Sequence, residues 1–180
     1  DGQWFMMPET SQNKTIEIWR CEDVPYKWHK HTALMDNMLA ADTTPFYYQD
    51  KWWLFTALKK DCKKFGDKLF VFSGDDIFGK DWQTHDLNPV KQSLVYDRPA
   101  GNIIVCDDKL YRPAQDSIKR YGGALELREI TQLSQHNYQE TLYQRIEPCW
   151  DTSIKGTHTY NFSEGLLVMD GLKIIAKASI

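Results

Sequence analysis

No stretch of one charge sign runs through this sequence: its 22 basic and 25 acidic residues are interspersed and leave a formal charge of −3. That pattern excludes the basic face through which proteins hold nucleic acid. Cysteine is sparse and never closely paired, with Cys21, Cys62, Cys106 and Cys149 spread along the chain. Neither zinc-type spacing nor a close pair is present, so these residues read as small apolar side chains or free thiols. Long hydrophobic runs are missing too. Runs such as Leu166 to Met169 fall far short of the roughly 20 residues of a membrane span, and nothing resembles a secretory signal. The expectation is a soluble chain without a membrane span. It opens at Asp1, without a methionine and inside a strand-like pattern, as a processed or trimmed piece does.

What the sequence has is aromatic residues in short runs bounded by Asp, Gly, Asn and Pro, the pattern of short strands. At 180 residues it has one domain's length and can bury a core without staples. One arrangement recurs. Pro45 to Thr56 reads as strand, polar turn at Gln49-Asp50-Lys51, and strand, which predicts a hairpin. Asn102 to Arg112 repeats it around Asp107-Asp108-Lys109, and Tyr160 to Val168 around Ser163-Glu164-Gly165. A shortened copy opens the chain, with Asp1-Gly2-Gln3 as turn and Trp4 to Met7 as strand. Third strands follow at Thr15 to Trp19 and Lys68 to Ser73, and Trp-centred fourth strands at Tyr26 to Trp28 and Asp81 to Gln83.

Four strands per repeat, with a period of roughly 50–60 residues, predict the blades of a β-propeller. The fold class expected is all-β, a partial five-bladed propeller of about three to four blades, each of four antiparallel strands. An irregular β-sandwich is the alternative. Two stretches depart from the rhythm. Leu133 to Ile146 spaces Tyr138, Leu142 and Ile146 at intervals of four, which predicts one short inserted amphipathic helix. The run Lys59-Lys60-Asp61-Cys62-Lys63-Lys64 reads as a solvated loop.

Longer motifs carry a resemblance. Arg98-Pro-Ala-Gly101, Leu110-Tyr-Arg-Pro-Ala-Gln-Asp116, Lys119-Arg-Tyr-Gly122 and Gly156-Thr-His-Thr-Tyr-Asn161 resemble the N-terminal propeller domains of plant glucosamine inositolphosphorylceramide transferases and their bacterial relatives. Trp4 to Glu9, Ala41 to Thr44 and Trp52 to Phe55 fit the same pattern, so the likeness spans nearly the whole chain. It implies a domain that resembles five-bladed glycoside-hydrolase propellers, fused to or associated with a glycan-modifying domain. A plant-like protein would be placed in the Golgi lumen and a bacterial one in the cytoplasm. The approach to Arg98, Ser93-Leu-Val-Tyr-Asp97, is less basic than the family's. The family's propeller also begins earlier, so the expectation is either an incomplete piece or a ring closed by another segment or by another copy in an oligomer.

In a propeller the inner strands line a channel and ligands sit where those strands begin. Aligning the turns brings Asp42, Arg98 and His158 near the starts of successive inner strands. Each has a structural alternative: Asp42 could satisfy turn amides, Arg98 and Arg112 could pair with Asp97 or Asp116, and His158 could be held by hydrogen bonds. Glu9 occupies a place that resembles the proton donor of invertase-type propellers. Cleaving a glycosidic bond needs two carboxyl groups about 5–9.5 Å apart, which makes Glu9, Asp42 and Asp116 the catalytic candidates. The substrate-binding candidates are Arg98, Arg112, Gln115, Lys119, Arg120, Tyr121 and His158, which suit hydroxyls or phosphates, with Tyr121 and Trp53 as stacking platforms. No cofactor is expected, although the hydrolase likeness suggests a channel cation near His158. The leading expectation is recognition of a carbohydrate or sugar phosphate, accessory to a glycan-modifying enzyme. The alternative is a glycoside hydrolase.

Overall fold

The structure, a computed structural model, describes residues 2–59, 68–91, 97–118 and 120–173. These residues form antiparallel β-sheets, with a single 3-10 turn at Ser11–Asn13. The first sheet orders β1 (Phe5–Met6), β2 (Thr15–Asp23) and β3 (Lys27–Asp36) side by side. The second runs β4 (Ala40–Tyr48), β5 (Lys51–Leu58), β6 (Lys68–Gly74) and β7 (Gln83–Thr84). The third runs β8 (Ile104–Cys106), β9 (Lys109–Asp116), β10 (Ala124–Leu133) and β11 (Tyr138–Ile146). After it come two short ladders, β12 (Ile154–Gly156) with β15 (Leu172–Lys173) and β13 (Tyr160–Ser163) with β14 (Leu166–Met169).

The repeated hairpins form where the turn residues place them. Gln49 and Asp50 have φ of 50° and 57°, Asp107 and Asp108 49° and 59°, Glu164 and Gly165 49° and 80°. Two successive positive φ values make the type I′ turn, whose twist matches that of the strands it joins. Asp and Gly tolerate that backbone region better than most residues.

Neighbouring sheets pack face to face. Because side chains alternate along a strand, Leu54 of β5 points to one side and Trp53 and Phe55 to the other. Leu54 and Phe72 join Ile16, Ile18 and Leu34 of the first sheet in one buried cluster. Trp53, Phe55, Leu69 and Val71 join Leu110, Ile130 and Tyr138 of the third sheet in another. The second sheet is covered on both faces, so Trp52 to Ala57 lacks the apolar–polar alternation of a half-exposed strand. Each side chain as fully buried as Leu54 or Phe55 contributes about 1.5–3 kcal/mol.

The inserted helix expected at Leu133 to Ile146 is not formed; β11 occupies that place, paired along β10. A spacing of four puts residues on one face of a strand as well as of a helix, and here the sheet prevails. Tyr138 and Glu140, two residues apart, are both buried, whereas Leu142 is exposed, which is strand periodicity interrupted by register shifts in the β10–β11 ladder. Among the described residues no helix is long and apolar enough to cross a membrane. Cys21, Cys106 and Cys149 are free; Cys62 and most of the Lys59 to Lys64 run lie outside the described residues.

Candidate functional site

The first hairpin of the second and third sheets, and the run of the two last ladders, are interrupted at corresponding points. In the second, Asp42 and Thr43 bulge out opposite Thr56 alone, between the pairs Ala41–Ala57 and Thr44–Phe55. In the third, pairing breaks between Pro99–Ala114 and Ile104–Tyr111. In the last, it breaks between Gly156–Leu172 and Tyr160–Met169. A bulge re-aims side chains out of a ladder. These three breaks open onto one cavity of about 210 Å³, which Asp42, Thr44, Ala100, Gln115, His158 and Thr159 help to line.

Close contacts hold the breaks together. Gly101 has φ of 150°, and a Cβ there would lie 1.9 Å from the carbonyl oxygen of Tyr160, so glycine is required at this approach. Ala100 accepts a hydrogen bond from the Tyr160 N–H at 2.7 Å. Asn102 donates through Nδ2 to the Phe162 carbonyl at 2.9 Å, and its own N–H donates to Asn161 Oδ1 at 3.0 Å. Gly122, at φ of 63°, turns the chain after Tyr121 and passes 3.3 Å, at its Cβ position, from His158.

Arg98 is the hub. Its Nε donates to Asp42 Oδ2 and its guanidinium also donates to Glu9 Oε2 at 3.3 Å. Asp42, at φ of 51°, receives a second hydrogen bond on Oδ2 from Gln115 Nε2 at 2.8 Å, and the same nitrogen donates to the Pro99 carbonyl at 2.9 Å. The Tyr121 ring lies under the Arg98 guanidinium at 5.5 Å, within cation–π range. Its other neighbour is the His158 ring, 5.1 Å away. Burial pushes the Tyr121 phenol above its ordinary pKa, with Arg98 pulling the other way. His158 Nδ1 pairs with Asp170 Oδ2, while Asp170 Oδ1 accepts the N–H groups of His158 at 2.8 Å and Thr159 at 2.6 Å. Burial works against the Asp170 carboxylate, yet those bonds prevail and hold its pKa below the ordinary value.

Residues 1–166 match the family described as "Glucosamine inositolphosphorylceramide transferase 1, N-terminal". The chain belongs to that family. A glucosamine inositolphosphorylceramide transferase 1 from Oryza sativa subsp. japonica is 28% identical over 146 residues, covering 78% of this chain and 19% of the relative. Its counterpart in Arabidopsis thaliana is 26% identical over 168 residues, covering 89% and 21%. The chain therefore spans about a fifth of the length of the relatives it matches.

The motifs that mark this transferase N-terminal family divide between the cavity and the interior. Glu9, Asp42, Arg98, Gln115, Tyr121 and His158 come together as described. Arg112 does not reach the cavity. It is fully buried and pairs with Glu140, Nε to Oε2 and a terminal nitrogen to Oε1, both at 2.8 Å. Glu140 also receives Arg128 Nε at 2.8 Å and the Tyr138 hydroxyl at 2.5 Å. Although burial disfavours its charge, these cations hold its pKa down to about 2. Asp116 is buried and tied to Arg145 at 2.5 Å, and it accepts the Ile118 N–H at 2.9 Å. Arg120 is exposed, and Lys119 lies outside the described residues. Trp53 packs in the core, 3% exposed, and donates from Nε1 to the Tyr48 carbonyl; the second sheet's two covered faces leave it no ligand to stack on.

Asp170 is the site residue that the sequence analysis passed over. The Met169-Asp170-Gly171 step after an apolar strand is the turn signal that marks its position. Among the described residues no three His, Cys, Asp or Glu side chains gather as metal ligands.

Proposed function

We propose that this domain recognises carbohydrate and acts beside a glycan-modifying domain, its stacked sheets being the blades of a partial five-bladed propeller. The observation that carries the reading is the convergence of Asp42, Gln115 and His158 from three interrupted hairpins onto one cavity, with Arg98 bonded to Asp42 and Tyr121 under that guanidinium. Carboxylate, guanidinium and amide groups that form directed hydrogen bonds, joined to an aromatic face, suit a hydroxyl-rich ring. At about 210 Å³ the cavity is smaller than the roughly 300–1,000 Å³ of drug-sized pockets, which favours a single ring. The relatives' name as transferases of glucosamine inositolphosphorylceramide fits a domain accessory to glycan modification. Leu166, Leu167 and Val168, exposed on the last hairpin, offer the apolar surface that a further blade covers in a ring, supplied by another segment or another copy.

A glycoside hydrolase is the second reading, favoured by Glu9 and Asp42 meeting at one guanidinium. Recognition is preferred because Arg98 stands between the two carboxylates, where a glycosidic oxygen and a water would have to sit, and because Asp116 is engaged elsewhere by Arg145. A glycan and sugar-phosphate array probed with the full-length protein tests the proposal. Binding that is lost in Arg98→Ala supports it, and a blank array refutes it. Release of aglycone from nitrophenyl glycosides, abolished by Glu9→Gln and Asp42→Asn, would establish the hydrolase instead.

A further inference from the structure

Building on the sugar-recognition reading, we infer that His158 reads one ligand hydroxyl as a hydrogen-bond donor through Nε2, and that Asp170 is the positioning residue that makes Nε2 the accepting nitrogen. A neutral imidazole carries one ring proton, and the partners of its two nitrogens decide where that proton sits. Asp170 decides it here. His158 and Thr159 lie in the break between β12 and β13, where the ladders do not use their N–H groups. Both donate instead to Asp170 Oδ1, at 2.8 Å and 2.6 Å, and the Thr157 hydroxyl adds a longer bond at 3.4 Å. These donors keep the carboxylate ionised despite its burial. Oδ2 is left to face His158 Nδ1. An ionised carboxylate only accepts, so the ring proton is drawn to Nδ1 and Nε2 keeps its lone pair.

The ring is also held from the side of the third sheet. The Tyr121 ring lies 5.1 Å from it, and the Thr157 N–H donates to the Gly122 carbonyl at 2.8 Å, which ties the segment carrying His158 to the turn after Tyr121. Nε2 takes part in none of the hydrogen bonds among the described residues, and the side chain, 36% exposed, lines the cavity. An acceptor whose direction is fixed beforehand loses little freedom when a donor arrives. Asp170→Asn reverses the arrangement while keeping its shape. The two backbone N–H groups still need an acceptor, so the new amide turns its oxygen to them and its NH2 to His158 Nδ1. Nδ1 must then accept, and the ring proton moves to Nε2.

Nitrogen NMR of the full-length protein labelled at histidine reads the tautomer at about pH 8.5, above the range in which an imidazole ordinarily titrates. The His158 signal is assigned by its loss in His158→Ala. The native protein should carry the proton on Nδ1, and Asp170→Asn, with folding verified by circular dichroism, on Nε2. Calorimetric titration then uses methyl glucoside, methyl galactoside and their mono-deoxyfluoro analogues, in which fluorine replaces one hydroxyl but cannot donate. Fluorine at one position should weaken binding to the native protein about tenfold. At that position the penalty should shrink to about threefold or less in Asp170→Asn and in His158→Ala. A native His158 protonated on Nε2, or a penalty equal in all three proteins, overturns the inference and leaves sugar recognition standing. If the native protein binds none of the glycosides, the inference falls; if the array is also blank, the sugar reading falls with it.

Discussion

Replacing Asp97 with Asn should make the protein more stable, and more so as the pH rises. Asp97 is 2% exposed, and apart from a backbone hydrogen bond from Leu69 its carboxylate draws no hydrogen-bond partner among the described residues. Burial raises its pKa from an ordinary 3.8 to about 6; Arg112 and Lys91 pull it down and Glu140 pushes it up, but desolvation prevails. A carboxyl group whose folded pKa lies above its unfolded value binds its proton more tightly in the folded state. Its contribution is therefore most favourable at low pH, and is lost as pH rises from about 4 to about 6. A shift of about two pH units corresponds to an upper limit of about 3 kcal/mol. Asn carries no charge at any pH and escapes this loss. Urea denaturation of both proteins from about pH 4 to about pH 8 measures it. The variant's advantage should grow by about 2–3 kcal/mol across the window and level off above about pH 6. A difference that is flat with pH, or a variant that grows relatively weaker as pH rises, would show that attraction to Arg112 outweighs desolvation and would refute the reasoning.

Arg112→Ala should destabilise the protein by about 3–5 kcal/mol, because it leaves Glu140 buried with less compensation; denaturant midpoints measure the loss. Gly101→Ala should cost at least about 2 kcal/mol, since the new Cβ meets the Tyr160 carbonyl at 1.9 Å, and it should loosen the contact between the third sheet and the last hairpin. Hydrogen exchange at the Tyr160 and Phe162 amides reads that loosening directly.

Much of the strand plan was legible because its signals are local. A type I′ turn needs only its own two residues to accept positive φ, so Gln49-Asp50, Asp107-Asp108 and Glu164-Gly165 marked the three hairpins without reference to the rest of the chain. Leu133 to Ile146 was ambiguous for a complementary reason. Its interval of four suits both periods, and only pairing with β10 decided for a strand. Of the site, the sequence motifs contained Glu9, Asp42, Arg98, Gln115, Tyr121 and His158, but their chemistry depends on partners that spacing does not reveal.

Arg98 meets Asp42 across 56 positions and Glu9 across 89, and a local pattern carries no information about such distances. Arg112 and Asp116 stand in the same motif as Gln115, yet alternation along β9 and the packing of the third sheet send Arg112 into the core with Glu140 and Asp116 to Arg145, while Gln115 reaches Asp42. Composition, turns and strand periodicity therefore determined an all-β chain of repeated hairpins. Only the stacking of sheets, which buries one face of a strand and opens the end of another, decided which charged residues became structure and which lined the cavity.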